Sequence, residues 1–185
     1  MNFPPPVNPD DLGRGPLIMG LSLAITVVAL VAVGLRLYVR KTVVKHIASD
    51  DWLMLLALAF HLVSVGFVSV AYHHGMGKHD ASLTPFQMVD VLKWMWLAST
   101  PGLLTSITAR ISIAILLVRL FGVYEWLKWF VIATITACSL ITLAILPCTY
   151  LQTTPVSGNW NILDPNVTRW DPSIYIGIAF TGQGM

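Results

Sequence analysis

The chain has 185 residues, of which 56% are hydrophobic and only 11% charged, with a net charge of +2. Ordinary soluble domains carry about 25% charged residues, so this composition excludes a water-soluble globule, which needs a polar exterior. The small net charge gives no reason to expect a nucleic-acid partner, and the position of the charges is more informative than their sum.

Residues 1–15 read as an extracytoplasmic tail. Pro4, Pro5 and Pro6 keep it extended, and it lacks the basic start of a cleavable signal. A bilayer core of about 30 Å needs roughly 20 helical residues to cross it. The apolar runs Pro16–Leu35, Trp52–Tyr72, Trp94–Val118 and Trp129–Leu146 are each close to that length or longer. The first run is too long for a signal core and is followed by Arg36, so it is expected to stay as a signal anchor. A final fragment, Ser173–Met185, has 13 residues and is too short to cross. These elements predict an all-α, multi-pass transmembrane bundle. It has four complete spans and a partial fifth, forming one membrane domain over 16–185 that is incomplete at its C-terminus.

Within this frame, Ser49-Asp50-Asp51 reads as the N-cap of the second helix, because acids favour a helix N-terminus. Pro85 suits a first helical turn, so the third helix is expected to run continuously over Phe86–Phe121. Thr100-Pro101-Gly102 lies inside that span, and a proline there removes a backbone bond and commonly kinks the helix. Cys138 and Cys148 lie ten residues apart, roughly 15 Å along a continuous helix, too far for a disulfide unless Pro147 breaks the helix.

Lysine and arginine set the orientation. Arg36, Arg40, Lys41, Lys45, Arg110, Arg119 and Lys128 lie toward one face; Arg14, Lys78, Lys93 and Arg169 lie toward the other. Positive residues favour the cytoplasm, which predicts an N-terminus outside. The sequon Asn166-Val167-Thr168 then falls on the extracytoplasmic side, making Asn166 a glycosylation candidate. Trp94, Trp96, Trp126, Trp129, Tyr72, Tyr124 and Tyr150 sit near span ends, as interfacial anchors do.

Three positions inside the spans are candidates for function. Arg110 lies nine residues before Arg119, roughly 13 Å along the helix, among Thr105, Ser106, Thr108 and Ser112. It is read either as a switching contact or as polar packing and snorkelling. His61 lies mid-span and is expected to bond a neighbouring helix as a neutral imidazole. Pro101 is the kink candidate.

The loop His73-His74-Gly75-Met76-Gly77-Lys78-His79-Asp80 carries three histidines and an acid, but its spacing fits no standard metal motif. Gly75-Met76-Gly77-Lys78 also lacks phosphate-loop spacing. No catalytic constellation is evident, and no mid-span lysine is available for a retinal Schiff base. Neither an enzyme nor a cofactor is expected.

In order, Arg36-Leu37-Tyr38-Val39-Arg40, Asp50-Asp51-Trp52, Gly75-Met76-Gly77-Lys78-His79, Lys93-Trp94, Ser112-Ile113, Arg119-Leu120-Phe121, Pro155 and Trp160-Asn161 form a recognisable series. The series resembles the fungal rhodopsin-domain family of seven-helix, receptor-like membrane proteins, from residue 16 onward. The resemblance implies a multi-pass protein of the plasma membrane or endomembranes, sensing a small extracellular ligand and meeting a cytoplasmic signalling protein. In that reading a ligand between outer helix ends shifts the packing around Pro101 and Arg110.

This chain departs from the family pattern at two places. Arg110 stands where the family tends to have a lysine, and Thr153 where its loop carries a first cysteine, so a family-type loop disulfide is not expected. Two alternatives are a transporter or channel component and a non-functional truncated product lacking helices six and seven. Mid-span Asp and Glu, which proton coupling would use, are absent.

Overall fold

A computed structural model describes residues 13–45, 48–78, 82–121, 124–151, 153–161 and 167–169. Four helices make up the fold: α1 (Gly15–Val39), α2 (Ser49–His73), α3 (Pro85–Phe121) and α4 (Glu125–Leu151). All four are long and apolar enough to cross a membrane. At 1.5 Å per residue, α2 is about 37 Å long and α3 about 55 Å, so α3 overhangs its neighbours. The expected continuity from Pro85 through Phe121 is present. Ser173–Met185 and Asn166 lie outside the described residues.

A wider π-helical turn, Arg40–Val44, extends α1 and ends at Lys45, whose φ of 54° is left-handed. After α4 come β1 (Thr153–Thr154), a short 3-10 turn (Val156–Asn159) and β2 (Thr168–Arg169). The antiparallel β1–β2 pair is a two-residue ladder that leaves the all-α class unchanged.

One local expectation needs correction. The N-cap of α2 is Ala48, not the Ser-Asp-Asp run. Asp51 is the third helical residue, and its carboxylate accepts the Ala48 N–H at 3.0 Å. Ala48 has no side-chain acceptor, so the carboxylate reaching back supplies the cap by itself. As expected, Cys138 and Cys148 are free thiols: α4 runs on through Pro147 to Leu151.

The helices pack in chain order, with α2 in its most extensive contact against α3 and α4 lying on α3. Side chains at the contacts are small: Ala57, Ala71, Ala98 and Ser112 are buried, and a Cβ on Gly102 would sit 3.5 Å from the Ser64 hydroxyl. Small residues let membrane helices approach closely where water supplies no driving force between them. Leu17, Val28, Leu140 and Leu143 are among the large apolar side chains left exposed, as a lipid-facing surface requires.

Hydrogen bonds fix the levels of the helices. Ser112 donates to the Asp50 carbonyl at 2.7 Å, and Ser64 to the Ala98 carbonyl at 2.9 Å, fourteen residues away on both helices. On the other side of α2, Thr26 meets His61, and Arg36 meets Asp51, ten residues away on both. Arg36, Asp50, Asp51 and Ser112 therefore lie at one level, at the basic end of the bundle.

At the opposite end, Arg14 N–H donates to the Gly77 carbonyl at 2.9 Å, seating the start of α1 on the α2–α3 turn. Gly77 has φ 90°, and a Cβ there would fall 2.5 Å from the Gly15 backbone. Only glycine permits both the conformation and the approach.

Candidate functional site: a carboxylate-centred arginine cluster

The densest polar chemistry lies where α1, α2 and α3 meet at the basic end. Asp50 and Asp51 are fully buried, which is costly for a carboxylate unless several donors surround it. Asp50 Oδ2 accepts Arg36 Nη2 at 2.6 Å and Arg40 Nη2 at 3.0 Å, while Oδ1 accepts Arg119 Nη1 at 3.1 Å. Asp51 Oδ1 accepts Arg36 Nε at 3.1 Å and lies 3.7 Å from Arg40 Nε; Oδ2 takes the cap bond. One guanidinium thus bridges both carboxylates.

The sequence dictates this meeting. Arg36 and Arg40 are four apart and share a helix face. The short connection to α2 brings its first turn level with them. Arg119 reaches back from the overhanging end of α3. Its side chain is 49% exposed against 18% for Arg36, so solvent screens it and it binds the cluster more weakly. Three guanidiniums against two carboxylates leave the cluster with one surplus positive charge.

That surplus is part of a larger asymmetry. Among the described residues the basic end carries seven Lys and Arg and the other end four. Between α1 and α3, beside the cluster, opens a cleft of about 350 Å³ lined by Leu35, Arg36, Val39, Arg40 and Leu116.

The predicted positions fall elsewhere. His61 Nε2 lies 3.1 Å from Thr26 Oγ1, and Thr26 gives its single hydroxyl proton to the Ser22 carbonyl at 2.8 Å. The imidazole must therefore be the donor, protonated on Nε2. Pro101 is buried at a meeting point of three helices. Ser64 of α2 bonds the Ala98 carbonyl just before it, the Thr100 hydroxyl bonds the Tyr150 hydroxyl of α4, and Thr105 donates to the Pro101 carbonyl at 2.8 Å.

Arg110 is half-buried and makes no hydrogen bond or ion pair among the described residues. It is far from Arg119 along α3, but the register of α2 and α3 puts it level with Trp52, one turn from the start of α2. Counting ten residues from the Thr100–Tyr150 contact brings it level with Leu140, next in sequence to Ser139, whose hydroxyl is buried with no partner among the described residues. The structure does not bring His61, Pro101 and Arg110 together into one site.

At the other end, Tyr72, His73, His74, Lys78, Leu83 and Gln87 line a polar pocket of about 270 Å³. His74 Nδ1 donates to the Val70 carbonyl at 2.8 Å, and the Gln87 side-chain oxygen accepts the Thr84 N–H at 3.0 Å. Among the described residues no three His, Cys, Asp or Glu side chains cluster as metal ligands; His79 and Asp80 lie outside those residues. Trp94 and Trp96 pack against other rings. Trp94 lies 5.9 Å from the Phe67 ring and Trp96 5.8 Å from Tyr150, whereas Trp126 and Trp129 are exposed.

These features define an integral membrane protein of four described spans, tied at one end by buried charge. The fungal rhodopsin domain model matches residues 35–178, and the chain belongs to that family. It is also similar to the "polyenoic acids biosynthesis gene cluster protein Ba17b" of Metarhizium anisopliae, 34% identical over 105 residues. That match covers 52% of this chain and 27% of the relative, so the chain spans about a quarter of that protein's length. No solved structure matches the chain.

Proposed function

We propose that the chain is a receptor-like membrane protein. The polar pocket at the α2–α3 turn is its cue-binding end, and the Asp50–Asp51 cluster is its responding end. One observation carries this reading: α2 and α3 both run from the pocket to the cluster, and between them sits the Ser64–Ala98 hydrogen bond, just before Pro101. A shift of α3 at the pocket therefore has a mechanical route to Arg119 and Ser112.

The charge asymmetry supports an orientation with the pocket and N-terminus outside and the cluster in the cytoplasm. A cytoplasmic signalling partner would then meet Lys41, Lys45 and Arg119, in the plasma membrane or an endomembrane. The relative's name is a reason to screen polyenoic acids first among small extracellular cues. No enzymatic step is part of this reading.

The test needs no ligand. Leu83→Trp fills the pocket without touching the cluster. Spin labels at Val43→Cys and Leu120→Cys, both exposed positions, report the α1–α3 separation at the basic end. The receptor reading predicts a changed distance distribution in Leu83→Trp. An unchanged distribution with an intact fold counts against it.

A further inference from the structure

We infer that the cleft between α1 and α3 is a binding site for the phosphate of an anionic phospholipid, with its acyl chain against Leu35, Val39 and Leu116. Arg36 and Arg40 both line this cleft, and both side chains are more than four-fifths buried. Each spends Nη2 on Asp50, and Nε faces Asp51. The Nη1 groups of both arginines make no hydrogen bond among the described residues. Neither Nη1 is among the buried polar atoms that lack a partner, so both stay reachable from the cleft, and phosphate oxygens match their fork geometry.

Three further facts select a lipid. The cleft walls are apolar except for the two arginines, so a ligand with a charged head and a hydrocarbon body is complementary along its whole length. The cleft lies near the ends of two helices long and apolar enough to cross a membrane, where lipid headgroups would meet them. Finally, the cluster is one charge in surplus, and exposed Lys41 and Lys45 add two more beside it. Basic pockets between membrane helices on the cytoplasmic side have this character in lipid-binding membrane proteins generally. The site is independent of the receptor reading, since it uses neither the outer pocket nor any response.

The experiment is native mass spectrometry of the full chain, purified in neutral detergent and titrated with phosphatidic acid or phosphatidylcholine. Two arginine contacts at a surface correspond to a preference of roughly tenfold or more for the anionic lipid. Leu116→Trp and Val39→Trp fill the cleft and leave every charge in place. Each is expected to reduce the preference to below about twofold, and protection of the Cys138 thiol reports that the fold is intact. A preference that survives both substitutions, or equal binding of the two lipids by the unaltered chain, overturns the proposal. Displacement by glycerol phosphate at the same concentration as by phosphatidic acid overturns the lipid source and assigns the site to a soluble phosphate.

Discussion

Asp50→Asn is the sharpest perturbation of the basic end. The carboxylate is fully buried and accepts three guanidinium bonds at 2.6, 3.0 and 3.1 Å, from residues on two other helical segments and the π-helical turn. An asparagine keeps the volume but presents an NH2 to at least one guanidinium, donor against donor. It also leaves three arginines around one remaining carboxylate. Breaking one partner of a buried ion pair costs about 3–5 kcal/mol, because the other charges stay buried. For a chain of this size about 1 kcal/mol shifts Tm by about 2–4 °C, so the loss is about 6–20 °C. Cys138 is a built-in reporter, being buried at 8% exposure. With Cys148→Ser in the background, a thiol-reactive fluorogenic dye in detergent follows unfolding on heating. Arg119→Gln, at an exposed side chain, is expected to cost less than about 1 kcal/mol in the same assay. A Tm for Asp50→Asn within about 2 °C of the parent would refute the reasoning, since no buried charge network can lose its centre so cheaply.

Other expected outcomes probe the remaining contacts. Thr26→Val leaves the His61 Nε2–H without its acceptor and is expected to cost about 1–2 kcal/mol by the same thermal assay. Gly77→Ala forces a Cβ to 2.5 Å from the Gly15 backbone at φ 90° and is expected to destabilise by more than about 2 kcal/mol. Gly20→Ala, with open space around it inside α1, is expected to be neutral or slightly stabilising on the same melt. Arg110→Gln is expected to change thermal stability by less than about 1 kcal/mol, because no ion pair is lost. If it nevertheless abolishes a cellular response while surface expression persists, Arg110 acts in signalling. For orientation, enzymatic deglycosylation of the expressed chain should shift its mass through Asn166; a cytoplasmic Asn166 would overturn the N-out assignment.

The spans were legible because bilayer thickness and helix rise leave little freedom in reading long apolar runs. Helix boundaries were legible only where special residues mark them, as at Pro85. Ala48 was invisible as a cap because it contributes no side-chain acceptor, and the signal was Asp51 three residues later. The arginine cluster was half visible. Its members stood out as topology charges and as ordered motifs, but their pairing was not read. The clue was there: Arg36 and Arg40 share a face, and two acids open the next antiparallel helix after a short connection. Two acids at a helix start suit the helix dipole so well that burial and ion pairing were not required to explain them. Along α3 alone, Arg110 reads as an embedded charge. The overhang of α3 beyond α2, which no local pattern encodes, places it near the helix start instead.

Asp50 holds α1 and α3 to α2 at the basic end. The direct test is the distance distribution between spin labels at Val43→Cys and Leu120→Cys in lipid nanodiscs, with Cys138 and Cys148 replaced by serine. With Asp50 present, one narrow population is predicted; Asp50→Asn should broaden it and move it to longer distances. Identical distributions with and without the carboxylate would contradict the claim that this cluster ties the three helices together.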